Sequence, residues 1–176
     1  MDSHPLKVLK YCPKCGSGEF NPSGERSLKC GNCKFHYFIN SAAAVAALIA
    51  DKTGRLMLVT RGVEPAYGKL DLPGGFIDPL ESAEEAVKRE LEEELGLNVL
   101  EMNYLFSAPN EYIFSSFKVF TLDLAFKVRV ESLENLKAMD DILAYHFYSE
   151  EELDYDEIPA PSIKSFVKHY FDQINK

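Results

Sequence analysis

Small apolar residues fill positions 41–50, and a second apolar run, Leu56-Met57-Leu58-Val59, follows the turn signal Asp51-Lys52-Thr53-Gly54. Two such runs around a tight polar turn predict two strands paired as a hairpin. Positions 62–75 read as a loop punctuated by Pro65, Gly68, Pro73 and Gly74. Beyond it the apolar period lengthens: Ala83, Val87 and Leu91 recur at four-residue steps and predict a helix with one buried edge. Ser82 and Glu85 form a capping-box pair that starts this helix near Ala83, and Gly96 occupies the place of a left-handed C-terminal cap. Apolar-rich stretches at 99–106 and 118–130, and a short aromatic one at 144–148, predict three further strands. Residues 162–174, with Phe166, Val167, Tyr170 and Phe171, predict a C-terminal amphipathic helix.

The chain has 176 residues, enough for one sizeable domain and a small appendage. No apolar run reaches transmembrane length, and the opening Met1-Asp2-Ser3-His4-Pro5 has no signal-peptide character. A cytoplasmic protein without a membrane partner is therefore expected. The net charge of −9 argues against a general electrostatic grip on nucleic acid.

All four cysteines lie in the first 33 residues, as Cys12-Pro13-Lys14-Cys15 and Cys30-Gly31-Asn32-Cys33. Paired C-x-x-C knuckles at this separation match a four-cysteine structural zinc site. A disulfide reading would need an oxidising compartment, for which the sequence carries no targeting signal. His36 is an alternative ligand, although a lone surface histidine is the commoner meaning. The module also holds Lys10, Lys14, Arg26, Lys29 and Lys34, with Tyr11, Phe20, Phe35 and Tyr37. We read these as a solvated surface and knuckle packing, and the ribbon as a structural or dimerising extension. The expected division is a zinc ribbon over 1–39 and a second domain over 40–176.

The second domain carries the chemistry. Glu90, Glu93 and Glu94 stand three and four residues apart on the predicted helix, with Arg89 among them and Glu81 just before it. Gathering that much negative charge is costly unless a divalent cation is bound, and ligands that offer only oxygen suit Mg2+ or Mn2+ better than zinc. Arg89 can reach Glu93 along the helix and hold its carboxylate.

From Gly75 to Leu97 the chain resembles the Nudix box: Gly, five residues, Glu, seven residues, Arg-Glu, an aliphatic, any residue, Glu-Glu, any residue, Gly, an aliphatic. Gly75, Glu81, Arg89, Glu90, Leu91, Glu93, Glu94, Gly96 and Leu97 fill every fixed position. Leu80 stands where many relatives carry glycine. The resemblance implies an α/β fold, a Nudix α/β/α sandwich with a mixed sheet, here preceded by the small four-cysteine ribbon. It also implies a Mg2+- or Mn2+-dependent pyrophosphohydrolase that cleaves a nucleoside diphosphate linked to another group, such as NADH or ADP-ribose. Glu90 and Glu94 would hold the metal with help from Glu93 and the Gly74 carbonyl. Glu93 or Glu94 would take the proton of the attacking water, and Arg89 would orient carboxylates.

A four-cysteine ribbon before such a domain looks like the NADH pyrophosphatase branch. That branch carries S-Q-P-W-P-F-P-x-S after the box. Residues 107–115 here read S-A-P-N-E-Y-I-F-S, keeping both serines and the first proline and losing Gln, Trp and the later prolines. The branch also places a late acidic ligand where Asp140-Asp141 falls, and Asp141 is the candidate. Tyr112, Phe114 and Phe117 are candidate stacking residues for a substrate ring, although core packing is the commoner role for strand aromatics. The expected partner is a small-molecule nucleotide, with nucleic acid disfavoured and a homodimer suggested only by analogy with ribbon-bearing relatives. The alternative is a non-catalytic nucleotide sensor whose ribbon contacts nucleic acid or protein. Non-catalytic members usually lose box carboxylates, and all are present here.

Overall fold

The computed structural model describes residues 3–134 and 136–174. The chain divides into two compact units. The first holds residues 3–41 together with Glu111–Phe120, and the second holds Ala42–Asn110 with residues 121–174.

In the first unit a one-turn helix, α1 (Pro5–Val8), precedes three short antiparallel strands, β1 (Phe20–Pro22), β2 (Ser27–Cys30) and β3 (His36–Phe38). Its small core gathers Cys12, Phe20, Leu28 and Cys30, with Leu6, Leu9, Phe35 and Ile39 packed around them. So few apolar side chains make a weak core, and a domain of this size needs a metal or another staple. The Glu111–Phe120 hairpin tip belongs here. The Lys118 amide donates to the Ser3 carbonyl at 2.8 Å, and His4 meets Phe120 edge-on at 5.7 Å.

The second unit is layered. Strand β4 (Ala42–Leu48) runs parallel to β8 (Phe117–Val130), which separates it from β7 (Val99–Phe114). A second sheet places β5 (Leu56–Arg61) between β6 (Leu70–Asp71) and β9 (Ile142–Tyr148), all antiparallel. Side chains of β4 alternate between two cores, as the strand period requires. Val45 and Ala47 pack with Val87, Leu91 and Leu95 of α2 (Ala83–Leu95). Ala46 and Leu48 pack with Phe166, Val167, Tyr170 and Phe171 of α3 (Pro161–Ile174). One helix on each side of the strands yields the α/β/α arrangement.

The hairpin expected between 41–50 and 55–60 shrinks to its mouth. Ala50 bridges Leu56, and the Met57 amide donates to the Ile49 carbonyl at 2.8 Å. Beyond that, β4 pairs with β8 and β5 with β9 and β6, because each run is buried on both faces and needs neighbours of its own. Strand β7 reaches Phe114, well past the expected end at 106, and carries Pro109. It tolerates the proline as an edge strand.

Helix α2 begins and ends as its sequence requires. The Ser82 side chain accepts from the Glu85 amide at 3.2 Å, and Glu85 Oε2 accepts from the Ser82 amide at 2.9 Å. Gly96 closes the helix at φ 66°, its amide donating to the Glu92 carbonyl. Replacing Ser82 with Ala should cost about 1 kcal/mol, read as a lower denaturant midpoint with an unchanged m-value.

Candidate active site

The site grows from the loop that enters α2. Residues 73–77 lie along β4: the Ala47 amide donates to the Pro73 carbonyl (2.8 Å), the Val45 amide to the Gly75 carbonyl (2.9 Å), and the Ile77 amide to the Ala43 carbonyl (3.0 Å). Only glycine permits this at 74, where φ is 136° and a Cβ would stand 2.2 Å from the Val45 carbonyl oxygen. At Gly75 a Cβ would fall 2.5 Å from Glu90 Oε1. The two glycines therefore let helix carboxylates lie directly on a backbone loop.

Arg89 is the organising cation. Its Nε and Nη2 grip Glu81 Oε1 and Oε2 at 2.8 and 2.9 Å. Nη1 reaches Glu90 Oε1 at 2.8 Å and Glu93 Oε2 at 3.2 Å, and Nη2 also donates to the Phe76 carbonyl at 2.9 Å. Five donors meet five acceptors, which uses the whole guanidinium fork. Arg89, with the Asp78 amide, holds the Glu81 carboxyl down to about 2. Burial pushes Glu90 up, against the pull of Arg89.

Glu94 differs from its neighbours. Only 7% of it is exposed, no cation among the described residues pairs with it, and its Oε2 accepts a hydrogen bond from the Gly74 amide at 2.9 Å. Burial pushes its pKa up to about 8, and the charges of Glu90, Asp71 and Asp140 add to the shift. A buried carboxylate flanked by other acids and answered by an amide fits a hard divalent cation. Among the described residues, however, the four cysteines are the set of three or more such side chains whose ligand atoms lie within 4.8 Å of one another. Glu90, Glu93 and Glu94 do not converge in this way; the first two turn toward Arg89.

Other expected positions fall as follows. Gly74 meets Glu94 through its amide. Asp141 is exposed, and its carbonyl accepts from the Gly62 amide at 2.6 Å. Its neighbour Asp140, at φ 50°, is the aspartate whose charge is felt at Glu94. Tyr112 and Phe114 lie on the hairpin tip, in the first unit, whereas Glu81, Arg89, Glu90, Glu93 and Glu94 lie in the second. Asp71 was not singled out from the sequence. Its Oδ2 meets Arg61 Nη1 at 2.7 Å and its Oδ1 accepts from the Leu72 amide at 2.8 Å, yet burial still pushes its pKa up. The signal available was an acid between Leu70 and Leu72, both packed into the α3-side core.

In the first unit all four cysteines are free thiols, with Cys12–Cys33 and Cys15–Cys30 sulfur separations of 3.7 Å. A zinc ion bound tetrahedrally at about 2.3 Å would set its sulfurs about 3.8 Å apart, so the donor set fits. The Cys33 amide pulls the Cys30 thiol down to about 6. The Phe35 amide pulls on Cys33 likewise, but burial and the other sulfurs push it up to about 11. That opposition is what a shared cation relieves. His36 stays outside the set, its Nε2 lying 3.0 Å from Ser27 Oγ.

Comparison with known proteins agrees with this layout. The NUDIX domain model matches residues 40–170. A Deinococcus radiodurans protein named "NAD-capped RNA hydrolase NudC" is 32% identical over 118 residues, 66% of this chain and 42% of that protein. Its namesake from Pseudomonas aeruginosa is 26% identical over 93% of this chain and 54% of its own. The chain thus spans about half the length of the curated relatives it matches. A NUDIX hydrolase crystal structure from Nitrosomonas europaea superposes with a TM-score of 0.67 at 20% identity, covering 95% of this chain and 93% of that one.

The Glu94 shift carries a sign. Its folded pKa, about 8, lies above the ordinary 4.5. Its contribution to stability is therefore fully present below about pH 4.5 and lost as pH rises through about 8. Metal-free wild type should lose melting temperature over that window relative to Glu94→Gln. Parallel melting profiles for the two proteins would show that Glu94 titrates normally.

Proposed function

Because the chain belongs to the NUDIX domain family, we propose that it hydrolyses the diphosphate linkage of a nucleoside diphosphate joined to another group, with a divalent cation held beside Gly74. The observation that carries this reading is Glu94: buried, without a cationic partner among the described residues, and laid on the Gly74 amide next to Glu90. Glu90 and Glu94 would hold Mg2+ or Mn2+, with Glu93 and one of Asp140 and Asp141 as further oxygen donors. When bound, the metal would neutralise phosphate charge and make water a stronger nucleophile.

The chain's own groups supply position and proton traffic. Arg89 fixes Glu81, Glu90 and Glu93 in one arrangement, so the acids need not reorganise when substrate arrives. The Gly74 amide fixes the Glu94 carboxylate. Glu93 keeps half of its side chain in solvent and is the group placed to accept a proton from water, with Glu94 the other candidate. In-line displacement at phosphorus leaves little further covalent work for protein groups.

The name these relatives carry supports a substrate of the NAD type attached to RNA. The four-cysteine cluster supports a structural zinc ion in a ribbon over 1–39, ahead of a catalytic domain over 40–176 whose segment Glu111–Phe120 groups with the ribbon. Among the described residues no helix is long and apolar enough to cross a membrane.

Glu94→Gln should lower turnover of NADH or ADP-ribose by at least about a hundredfold while circular dichroism stays unchanged; direct product analysis with Mg2+ and Mn2+ reads this. Retained turnover would refute the metal-site assignment. Silence of wild type across the panel, with metal bound, would favour a nucleotide sensor. Replacing Cys12 and Cys15 with Ser should abolish zinc retention, measured by elemental analysis after dialysis, and lower the melting temperature.

A further inference from the structure

One end of the β6-β5-β9 sheet carries apolar side chains that the two cores do not take up. Val63, Tyr67, Met139 and Leu143 are all exposed, Tyr67 by 58% and Leu143 by 51%. Backbone irregularity puts two of them there. Thr60 pairs with Ala144 and Arg61 with Ile142, so Leu143 is the extra residue of a bulge in β9. A bulge re-aims the side chain it carries, and bulges recur beside active sites. Here Leu143 lies against Gly62, its Cδ2 3.5 Å from where a Cβ on that residue would stand. Tyr67 stands at the tip of a turn over 66–69, closed by the Lys69 amide on the Ala66 carbonyl at 3.1 Å. Its neighbours Ala66 and Gly68 are both left-handed, at φ 68° and 77°.

The loop over 62–69 is clamped by one arginine. The Arg61 amide donates to the Lys69 carbonyl and the Arg61 carbonyl accepts from the Gly68 amide, both at 2.9 Å. Its Nε donates to the Pro65 carbonyl at 2.9 Å, while Nη1 meets Asp71 at 2.7 Å. The loop also touches the turn over 139–142. The Gly62 amide donates to the Asp141 carbonyl at 2.6 Å, and a Cβ on Gly62 would stand 2.9 Å from that oxygen, so a larger residue would hold the two apart. The same turn rests on the end of α2, where the Met139 amide donates to the Glu94 carbonyl at 2.9 Å. Hydrogen bonds thus lead from the loop to the 139–142 turn and from that turn to Glu94, whose carboxylate meets the Gly74 amide. All of these residues belong to the second unit.

A nucleoside diphosphate offers a diphosphate to the acids and, one ribose away, a flat base with apolar faces. A tyrosine ring on a preorganised tip suits such a face, and aliphatic side chains beside it exclude water from the stack. We propose that Tyr67 is a substrate-binding residue that stacks on the nucleobase, with the loop over 62–69 and the bulged Leu143 forming the shelf that seats it. The proposal deepens the pyrophosphohydrolase reading and rests on it for the place of the diphosphate.

The chain contains no tryptophan, so Tyr67→Trp sets a single fluorophore at the tip. With Mg2+ present, AMP should quench its emission saturably, and ribose 5-phosphate, which lacks a base, should not. Tyr67→Ala should raise KM for ADP-ribose about tenfold, the usual scale for one stacked base, and leave kcat within about twofold. Tyr67→Phe and Tyr67→Trp should keep the wild-type KM. Absence of quenching by AMP, or an unchanged KM in Tyr67→Ala, would overturn the proposal. A loss confined to kcat would also overturn it, since the loop would then act on the chemical step. Quenching by nicotinamide mononucleotide and not by AMP would do the same, because the shelf would then seat the other group of the substrate. Quenching by AMP in a protein whose wild type hydrolyses no nucleotide would leave the shelf standing and remove the catalytic reading.

Discussion

A backbone loop without side chains, pressed between a strand and a helix, is the constraint on which the second unit depends. Gly74 approaches Val45 more closely than any Cβ allows, and Gly75 leaves room for the Glu90 carboxylate. The loop can then use one edge to extend β4 and the other to receive helix acids. A side chain at 74 would push the loop off the β4 backbone at Val45, and one at 75 would displace the Glu90 carboxylate. Packing and chemistry thus share one steric requirement.

Electrostatics divides the acids into two kinds. Glu81, Glu90 and Glu93 share one guanidinium and form a rigid, partly compensated group. Glu94 lies outside that group, with its charge opposed by burial and by three neighbouring acids. The fork does not extend to Glu94, the most buried of these four acids, where a cation gains most in electrostatic energy because solvent screening is weakest. Asp71 marks the limit of local compensation, since Arg61 binds it directly and burial still prevails.

What could be read from the sequence was local. Helix α2, its capping box and the Gly96 cap rest on residues within one turn of each other, and they form where the spacing places them. The strand partners of β4 were not legible, because a parallel pair leaves no turn between its members and registers only as burial on both faces. The extension of β7 to Phe114 was hidden for a related reason: Pro109 reads as a break unless the strand is known to lie at an edge. Of the site, the acids on α2 were evident from spacing. The choice between Asp140 and Asp141 turns on a left-handed residue at the mouth of β9, which no side-chain pattern announces.

The membership of Glu111–Phe120 in the first unit has a consequence for how this chain can be divided. The two units are not consecutive segments: the chain completes the first only after most of the second has been threaded. A cut near residue 40 would strip the hairpin tip of its companions and leave Ile113 and Phe114, already half in solvent, on a strand end with nothing to cover it. Domain-swapped or minimal versions must therefore carry the ribbon and the tip together or shorten β7 and β8 in concert. The two modules are inherited by the chain as interlaced pieces, and exchange of either by a single recombination point would break both.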